Sequence, residues 1–151
     1  MYFLVQYMDI SLLVKKLCNN AYLPEKATNG SAGYDLRSID DTVINPGEYK
    51  AISTGIAIEM PLDIEAQIRP RSGLAFKHGI TVLNSPGTID SDYRGEIKIA
   101  LINHSNETFN ITSGMKIAQM IFSKVISVSI STRDELTQSD RGEGGFGSTG
   151  Y

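Results

Sequence analysis

The chain has 151 residues, 14 basic and 17 acidic side chains, a net charge of −3 and one cysteine, Cys18. This length predicts a single domain, which buries roughly 70% of its unfolded surface and folds without disulfides or metals. The charge argues against general attraction to nucleic acid or to an anionic membrane, so any phosphate binding must be local. One cysteine excludes an intramolecular disulfide and favours a reducing, cytoplasmic location.

The two histidines and the apolar N-terminus carry no metal or export signal. His78 and His104 have no cysteine or second histidine at a ligand spacing, which argues against a zinc site and against zinc deaminase chemistry. The opening MYFLVQYMDISLLVKKL has no basic residue before its apolar part and is interrupted by Asp9, so we interpret it as non-cleaved. Residues 1–8 are predicted to be a poorly ordered extension, and the sequence leaves Met8 open as an alternative start. No run approaches the roughly 20 apolar residues of a membrane helix.

Alternation of apolar and polar residues is the main pattern of the chain, and it predicts half-buried β-strands. In chain order, the turn signal is Asn-Pro-Gly-Glu at 45–48, and the alternating segments are TGIAIEM (54–60), IEAQI (64–68) and VISVSIS (125–131). Two segments are denser in apolar residues, as expected for strands covered on both faces: EIKIALIN (96–103) and KIAQMIF (116–122).

Helical signals are nearly absent. SGLAFKHG at 72–79 predicts one short helical turn, and no βαβ pattern of about 30 residues occurs, which disfavours Rossmann and P-loop architectures. Many short strands predict an all-β sandwich or barrel over residues 1–135. The remaining residues, 136–151, are rich in glycine and predict a mobile tail, although the lone Arg141 and Phe146 offer a charge and a stacking ring.

Two segments combine charges with turn residues. RPRSGLA at 69–75 offers arginines, a serine hydroxyl and the N–H groups of a helix start, which together suit phosphate oxygens. A turn with solvated arginines is the alternative. GTIDSDYRGEI at 87–97 places carboxylates between apolar strands, where Asp90 or Asp92 is either a general base or the cap of a turn.

Two further segments embed one polar side chain in apolar strand sequence. AGYDL at 32–36 contains Asp35, and GMKIAQMIF at 114–122 contains Gln119. Buried polar groups need partners. A structural hydrogen bond is the default interpretation of each, and contact with phosphate or with metal-bound water is the sharper alternative.

Five segments resemble, in the family's order, the five motifs of the homotrimeric dUTPases from about Ala21 to Tyr151: AGYDL, RPRSGLA, GTIDSDYRGEI, GMKIAQMIF and the tail RGEGGFGSTG. The resemblance implies a distorted jelly-roll or β-barrel of the β-clip type, assembled as a homotrimer with an exchanged, flexible C-terminal arm. It implies hydrolysis of dUTP to dUMP and pyrophosphate with Mg²⁺. One departure is Met115, where the fourth motif usually has an acidic residue; we expect little catalytic effect.

The resemblance also implies roles for individual residues. Asp90 would activate water for attack on the α-phosphorus, Tyr93 would stack beneath the deoxyribose, and Asp35 would arrange water around Mg²⁺ that the phosphates coordinate. The other implied substrate contacts are Asn84, Thr88, Ile89 and Lys98 at the uracil, Arg71, Ser72, Gly73 and Gln119 at the phosphates, and Arg141, Phe146, Gly147, Ser148 and Thr149 in a closing lid.

Two other functions remain open at this point. A dCTP deaminase would share the fold and the phosphate-binding Arg-Ser segment, but it needs a glutamate as its acid-base residue, and no glutamate has comparable surroundings here. A catalytically silent trimeric β-barrel that binds other proteins is the second alternative. The intact Asp90, Arg71, Tyr93 and Arg141 argue against silence.

Overall fold

The computed structural model describes residues 11–145 and is all-β apart from one short helix, which confirms the predicted class. Its elements are β1 (Leu13–Lys16), β2 (Glu25–Lys26), β3 (Tyr34–Arg37), β4 (Thr42–Ile44), β5 (Tyr49–Ser53), β6 (Ile56–Glu59), β7 (Ile64–Arg69), α1 (Ser72–His78), β8 (Ile80–Val82), β9 (Gly87–Ile89), β10 (Lys98–Asn103), β11 (Phe109–Ile111) and β12 (Lys116–Lys124). Across this range, no helix is long and apolar enough to span a bilayer.

The strands form small antiparallel sheets around one apolar core. The largest has the order β2-β3-β12-β7-β9, and a second has the order β5-β10-β8. Strands β1 and β6 form one pair, and β11 and β4 form another. Because β12 is the longest strand and lies between β3 and β7, it fixes the relative positions of the segments that flank those two strands.

The segment IEAQI packs as its alternation predicts: in β7, Ile64, Ala66 and Ile68 are buried, while the residues between them are half-buried. The segment TGIAIEM does not, because Ile56, Ala57 and Ile58 of β6 are all buried. In β10, which was expected to be covered on both faces, Ile99 and Leu101 are buried and the opposite face is partly covered in the single chain. One inward face, as in β7, is what a sheet stacked on a shared core requires.

The predicted turn at 45–48 is confirmed. The Glu48 N–H donates to the Asn45 carbonyl at 3.0 Å, and Gly47 adopts the positive φ of 74° that glycine tolerates best. The Glu48 carboxylate accepts from the Asn45 backbone N–H at 2.9 Å and from its side-chain amide at 3.1 Å. The backbone hydrogen bond from Asn45 is the main cause that holds the pKa of Glu48 below its ordinary value.

The strand predicted over VISVSIS is wrong for the single chain. Strand β12 ends at Lys124, and residues 125–131 form neither strand nor helix. Ile126, Val128 and Ile130 are 84%, 73% and 93% exposed. A strand needs a neighbour for its backbone hydrogen bonds and a core for its apolar face. Within residues 11–145, the segment has one such bond, from the Val125 N–H to the Asp63 carbonyl at 2.9 Å, and no core for its apolar face.

Candidate active site

Three of the sequence motifs meet at one cavity of about 390 Å³. Asp35 reaches it from β3, Gln119 from β12, and Arg71, Ser72 and Gly73 from the start of α1. The pairing register explains this meeting, because Gln119 lies opposite Asp35 on one side and opposite Arg69 on the other. The structure therefore brings these five residues, which were predicted for phosphate or metal-water contact outside the tail, into one place.

Helix α1 begins directly after Pro70 and presents its first turn to the cavity. Arg71 is its N-cap in an extended conformation, and no side chain caps the first turn. The helix ends at Gly79, whose left-handed conformation (φ 64°) lets its N–H donate to the Ala75 carbonyl. The Gln119 amide donates to the Pro70 carbonyl at 3.0 Å, which joins the helix start to β12.

Asp35 is the charged centre of the cavity and is only 8% exposed. Its Oδ1 atom lies 3.1 Å from Nε of Arg71, and its Oδ2 atom lies 2.7 Å from Nζ of Lys116. The second contact is an ion pair without hydrogen-bond geometry, so the buried Oδ2 atom keeps an unused acceptor. A carboxylate in this setting is held by cations and can still accept a hydrogen bond from bound water.

Three basic residues beside this cavity were not predicted from the sequence. Lys77 and His78 line it from the last turn of α1. Their spacing of four from Gly73 and Leu74 places them on the same face of the helix, and this signal was available in the sequence. Lys116 reaches Asp35 from β12, although simple strand alternation places it on the other face from Gln119.

Asp90 and Tyr93 belong to a tight turn that follows β9. The Tyr93 N–H donates to the Asp90 carbonyl at 3.1 Å, and the Tyr93 hydroxyl donates to the Glu96 carbonyl at 3.0 Å. Within residues 11–145, the carboxylate of Asp90 makes no hydrogen bond or ion pair, and the residue is exposed. The turn is thus closed by the backbone, which argues against the alternative that Asp90 is present only as a cap.

The residues predicted to bind the uracil surround this turn. Thr88 is exposed and Ile89 half-buried on β9, and Asn84 is exposed in the turn that leads to β9. Lys98 opens β10, with its Nζ atom 3.6 Å from the Glu96 carboxylate. These residues lie between the end of β8 and the start of β10, and none of them lines the cavity at Asp35.

One chain does not bring Asp90 and Arg71 together. Ile89 pairs with Ala66, so Asp90 lies beside the beginning of β7, whereas Arg71 follows its end. The six residue-to-residue steps from Glu65 to Arg71 correspond to on the order of 20 Å of extended strand. The two halves of the predicted site are therefore at opposite ends of the same strand.

The described part of the tail is exposed and bonded only to itself. Arg141 donates from Nε to the Gly144 carbonyl at 2.8 Å, within a local turn. The other tail residues predicted to contact substrate, Phe146, Gly147, Ser148 and Thr149, lie outside the described residues.

The dUTPase family model matches residues 19–150 of the chain. The chain belongs to the dUTPase family. Relatives named deoxyuridine 5'-triphosphate nucleotidohydrolase include those of Nautilia profundicola and Clostridium acetobutylicum. Each is 57% identical over 141 residues, which cover 93% of this chain and 99% or 97% of the relative.

A solved dUTPase has the same fold. The dUTPase of Staphylococcus bacteriophage 80alpha, solved as a G164S mutant with dUpNHpp, is 27% identical and superimposes with a TM-score of 0.87. The match covers 93% of this chain and 99% of the phage protein. The all-β dUTPase fold implied by the sequence motifs is thereby confirmed.

Proposed function

We propose that the chain hydrolyses dUTP to dUMP and pyrophosphate. The observation that carries this proposal is the cavity that unites Asp35, Arg71, Ser72 and Gln119 in a chain of the dUTPase family. Relatives 57% identical to it are named as nucleotidohydrolases of deoxyuridine triphosphate. Neither a dCTP deaminase nor a silent interaction protein is favoured by these relatives.

The cavity at Asp35 receives the triphosphate. The guanidinium of Arg71, the Ser72 hydroxyl and the Gln119 amide are donors on three sides, and Gly73 leaves room for phosphate because nothing lies within 4 Å of the position of a β-carbon there. Charge-assisted hydrogen bonds from arginine to phosphate are among the stronger polar contacts in proteins. Lys77 adds a second positive charge to the same lining.

The cavity suits Mg²⁺ that arrives with the phosphates. Over residues 11–145, no three carboxylate, histidine or cysteine side chains are grouped to hold a metal by themselves. The buried Oδ2 atom of Asp35 has an unused acceptor, which would accept from a metal-bound water once the Lys116 ammonium group turns away. Magnesium keeps several waters and needs few protein ligands, and when bound it neutralises charge on the phosphates. Asp35 would thus hold the metal indirectly, by orienting its water.

Asp90 is the proposed general base. Its exposed carboxylate has no partner within the described chain, so it is free to accept a proton from the water that attacks the α-phosphorus. Tyr93, fixed through its hydroxyl to the Glu96 carbonyl, offers its ring to the deoxyribose. Asn84, Thr88, Ile89 and Lys98 are proposed to read the uracil, and a hydrogen-bonding pocket of this type can discriminate by roughly 10⁴-fold.

The tail is proposed to close over the bound nucleotide. Among the described residues, Arg141 is held only by a local hydrogen bond to Gly144. Turning toward the γ-phosphate therefore breaks a single hydrogen bond. Phe146 would cover the uracil, and Gly147, Ser148 and Thr149 would add contacts to the substrate. Closure excludes bulk water and strengthens each electrostatic contact.

A homotrimer with shared sites accounts for two features of the single chain. Asp90 and Arg71 lie at opposite ends of β7, so a complete site requires Asp90 from one copy and Arg71 from another. The apolar side chains of Ile126, Val128 and Ile130 are exposed, and a neighbouring copy would cover them. The proposed location is the cytoplasm, in keeping with the single cysteine.

Pyrophosphate release from dUTP, dCTP, dTTP and UTP with Mg²⁺ tests the activity, with an ammonia assay on dCTP to detect deamination. We expect release from dUTP alone. Asp90→Asn should lower kcat by about 10²- to 10⁴-fold without loss of folding, because the side chain is exposed. Asp92→Asn, an exposed carboxylate in the same turn, is the matched control. Equal turnover of all four nucleotides would contradict a uracil-specific pocket, and release of ammonia from dCTP would favour deaminase activity.

Refolded mixtures of two inactive variants test the shared site. Asp90→Asn and Arg71→Ala each disable one half, so neither homotrimer should turn over dUTP. If each site takes Asp90 from one copy and Arg71 from the next, an equal mixture restores about a quarter of the sites. A mixture that stays inactive, although mixed trimers form, would show that both residues serve a site within one chain.

A further inference from the structure

Lys116 lies between two carboxylates at the rim of the active-site cavity. Its Nζ atom is 2.7 Å from Oδ2 of Asp35 and 3.5 Å from Oε1 of Glu25. Glu25 in turn accepts a hydrogen bond from Arg37, whose other terminal nitrogen donates to the Gly114 carbonyl at 2.8 Å. The lysine therefore has a buried partner in the cavity and a more exposed partner outside it.

A β-bulge directs Lys116 to this position. Ala118, Gln119 and Met120 follow one register against β3, but Lys116 pairs with Arg37, one residue out of that register. In a regular strand, residues three apart point to opposite faces, so Lys116 and Gln119 would be separated. The extra residue Ile117 changes this, so Gln119 lines the cavity and Lys116 pairs with Asp35 at its rim. Bulges of this kind often re-aim a side chain beside an active site.

Lys116 contacts the Arg71–Asp35 pair in two independent ways. Its carbonyl accepts a hydrogen bond from Nη1 of Arg71 at 3.1 Å, and its ammonium group pairs with Asp35, which itself pairs with Nε of Arg71. A change of the side chain removes the second contact and preserves the first. The contribution of the ammonium group can thus be measured by itself.

We propose that Lys116 is a positioning residue that holds Asp35 and, through it, Arg71, and that Glu25 takes over the lysine when Asp35 turns to metal-bound water. This inference rests on the proposed function, because it assumes that Arg71 binds phosphate and Asp35 orients the water on Mg²⁺. A lysine with Asp35 as its only partner would compete with that water for Oδ2. Glu25 relieves the competition, since its half-exposed carboxylate is already beside the ammonium group.

The roles of the two residues predict different effects. Lys116→Met removes the charge that balances Asp35, so Arg71 is left as the only cation on that carboxylate and is less available to phosphate. We expect KM for dUTP to rise by about 10- to 100-fold with little change in kcat, and Lys116→Arg to restore most of the loss. Glu25→Gln leaves the lysine to Asp35 alone, so the Mg²⁺ concentration for half-maximal activity should rise instead.

Calorimetric binding of dUpNHpp, with and without Mg²⁺, and steady-state kinetics are to be measured for wild type, Lys116→Met, Lys116→Arg, Glu25→Gln and the double variant. Mg²⁺ should strengthen dUpNHpp binding less in Glu25→Gln than in wild type. Because Glu25 acts through Lys116, this difference should vanish when Lys116 is also replaced. Lys50→Met and Glu48→Gln, which change a similar ion pair away from the cavity, are the controls.

The possible outcomes separate the inference from the proposed function. A wild-type protein that neither binds the nucleotide nor hydrolyses dUTP would overturn both. If wild type is active, two results would overturn the positioning role alone. One is unchanged nucleotide binding in Lys116→Met, and the other is additive effects in the double variant. If Lys116→Met fails to fold, Glu25→Gln and Lys116→Arg still decide: an unchanged Mg²⁺ requirement in Glu25→Gln contradicts the proposal.

Discussion

Gly33 lies so close to Gln119 that a β-carbon at position 33 would overlap the Oε1 atom of that side chain. The other end of the same amide donates to the Pro70 carbonyl, immediately before Arg71. The glycine of AGYDL thus leaves the space that the glutamine of the fourth motif occupies. Three motifs are joined by one amide group.

Gly33→Ala should therefore displace Gln119 and disturb the phosphate cavity. Its backbone does not require a positive φ, so the effect is steric rather than conformational. We expect KM for dUTP to rise about tenfold or more, in the range that lost supporting contacts usually cost. Gly30→Ala, where nothing lies within 4 Å of the new atom, is the control and should behave as wild type. Equal kinetics for the two variants would contradict the prediction.

Gly73→Ala should separate stability from activity. Gly73 lies in α1 with open space around it, so alanine is sterically allowed and should stabilise the helix by about 0.5–1 kcal/mol. The new methyl group enters open space that we propose for the phosphates, so KM should rise while Tm stays the same or increases. At Gly79, by contrast, φ is 64° and a β-carbon would approach the Ser105 backbone nitrogen to 2.9 Å, so Gly79→Ala should lower Tm. A lower Tm for Gly73→Ala would contradict the conclusion that alanine fits at this position without steric strain.

Ile130→Asp should weaken the assembly of subunits. The side chain is 93% exposed in the single chain, so a charge there costs little within one subunit. If a neighbour covers it, burial of the unpaired carboxylate destabilises the oligomer. Light scattering on dilution should show earlier dissociation, with a parallel loss of activity. Ser129→Asp, on the adjacent position of the same alternation, is the matched control, and equal dissociation of the two variants would contradict an apolar contact.

Glu48→Gln should remove a pH-dependent contribution to stability. The pKa of Glu48 is lowered in the folded state, chiefly by the backbone N–H of Asn45. A carboxyl group whose pKa is lowered by folding stabilises the fold at pH values above its pKa in the unfolded chain. This contribution disappears as the pH falls through its pKa in the folded state. Urea denaturation at one protein concentration should show wild type slightly more stable than the variant at pH 7. The difference in the free energy of unfolding should shrink toward pH 3. A difference that stays constant with pH would show that the charge of Glu48 is not its cause.

The sequence by itself determined strands such as β6, β7, β10 and β12, the turn at 45–48 and the residue types of the site, because each is encoded over a few neighbouring residues. Period-two alternation shows which face of β7 enters the core, and Asp35, Arg71 and Gln119 are recognisable within their motifs. The same local signal predicted a strand at 125–131, where the pattern is present but residues 11–145 supply no partner strand.

Only the tertiary structure decided which of these residues lie together. Pairing of β12 with β3 and β7 brings Asp35 and Arg71 to Gln119, whereas pairing of β9 with β7 leaves Asp90 at the far end. The bulge at Ile117 brings Lys116 to Asp35, against the alternation of its own strand. Proximity across a sheet depends on register, and register is set by contacts between segments that are distant in the chain.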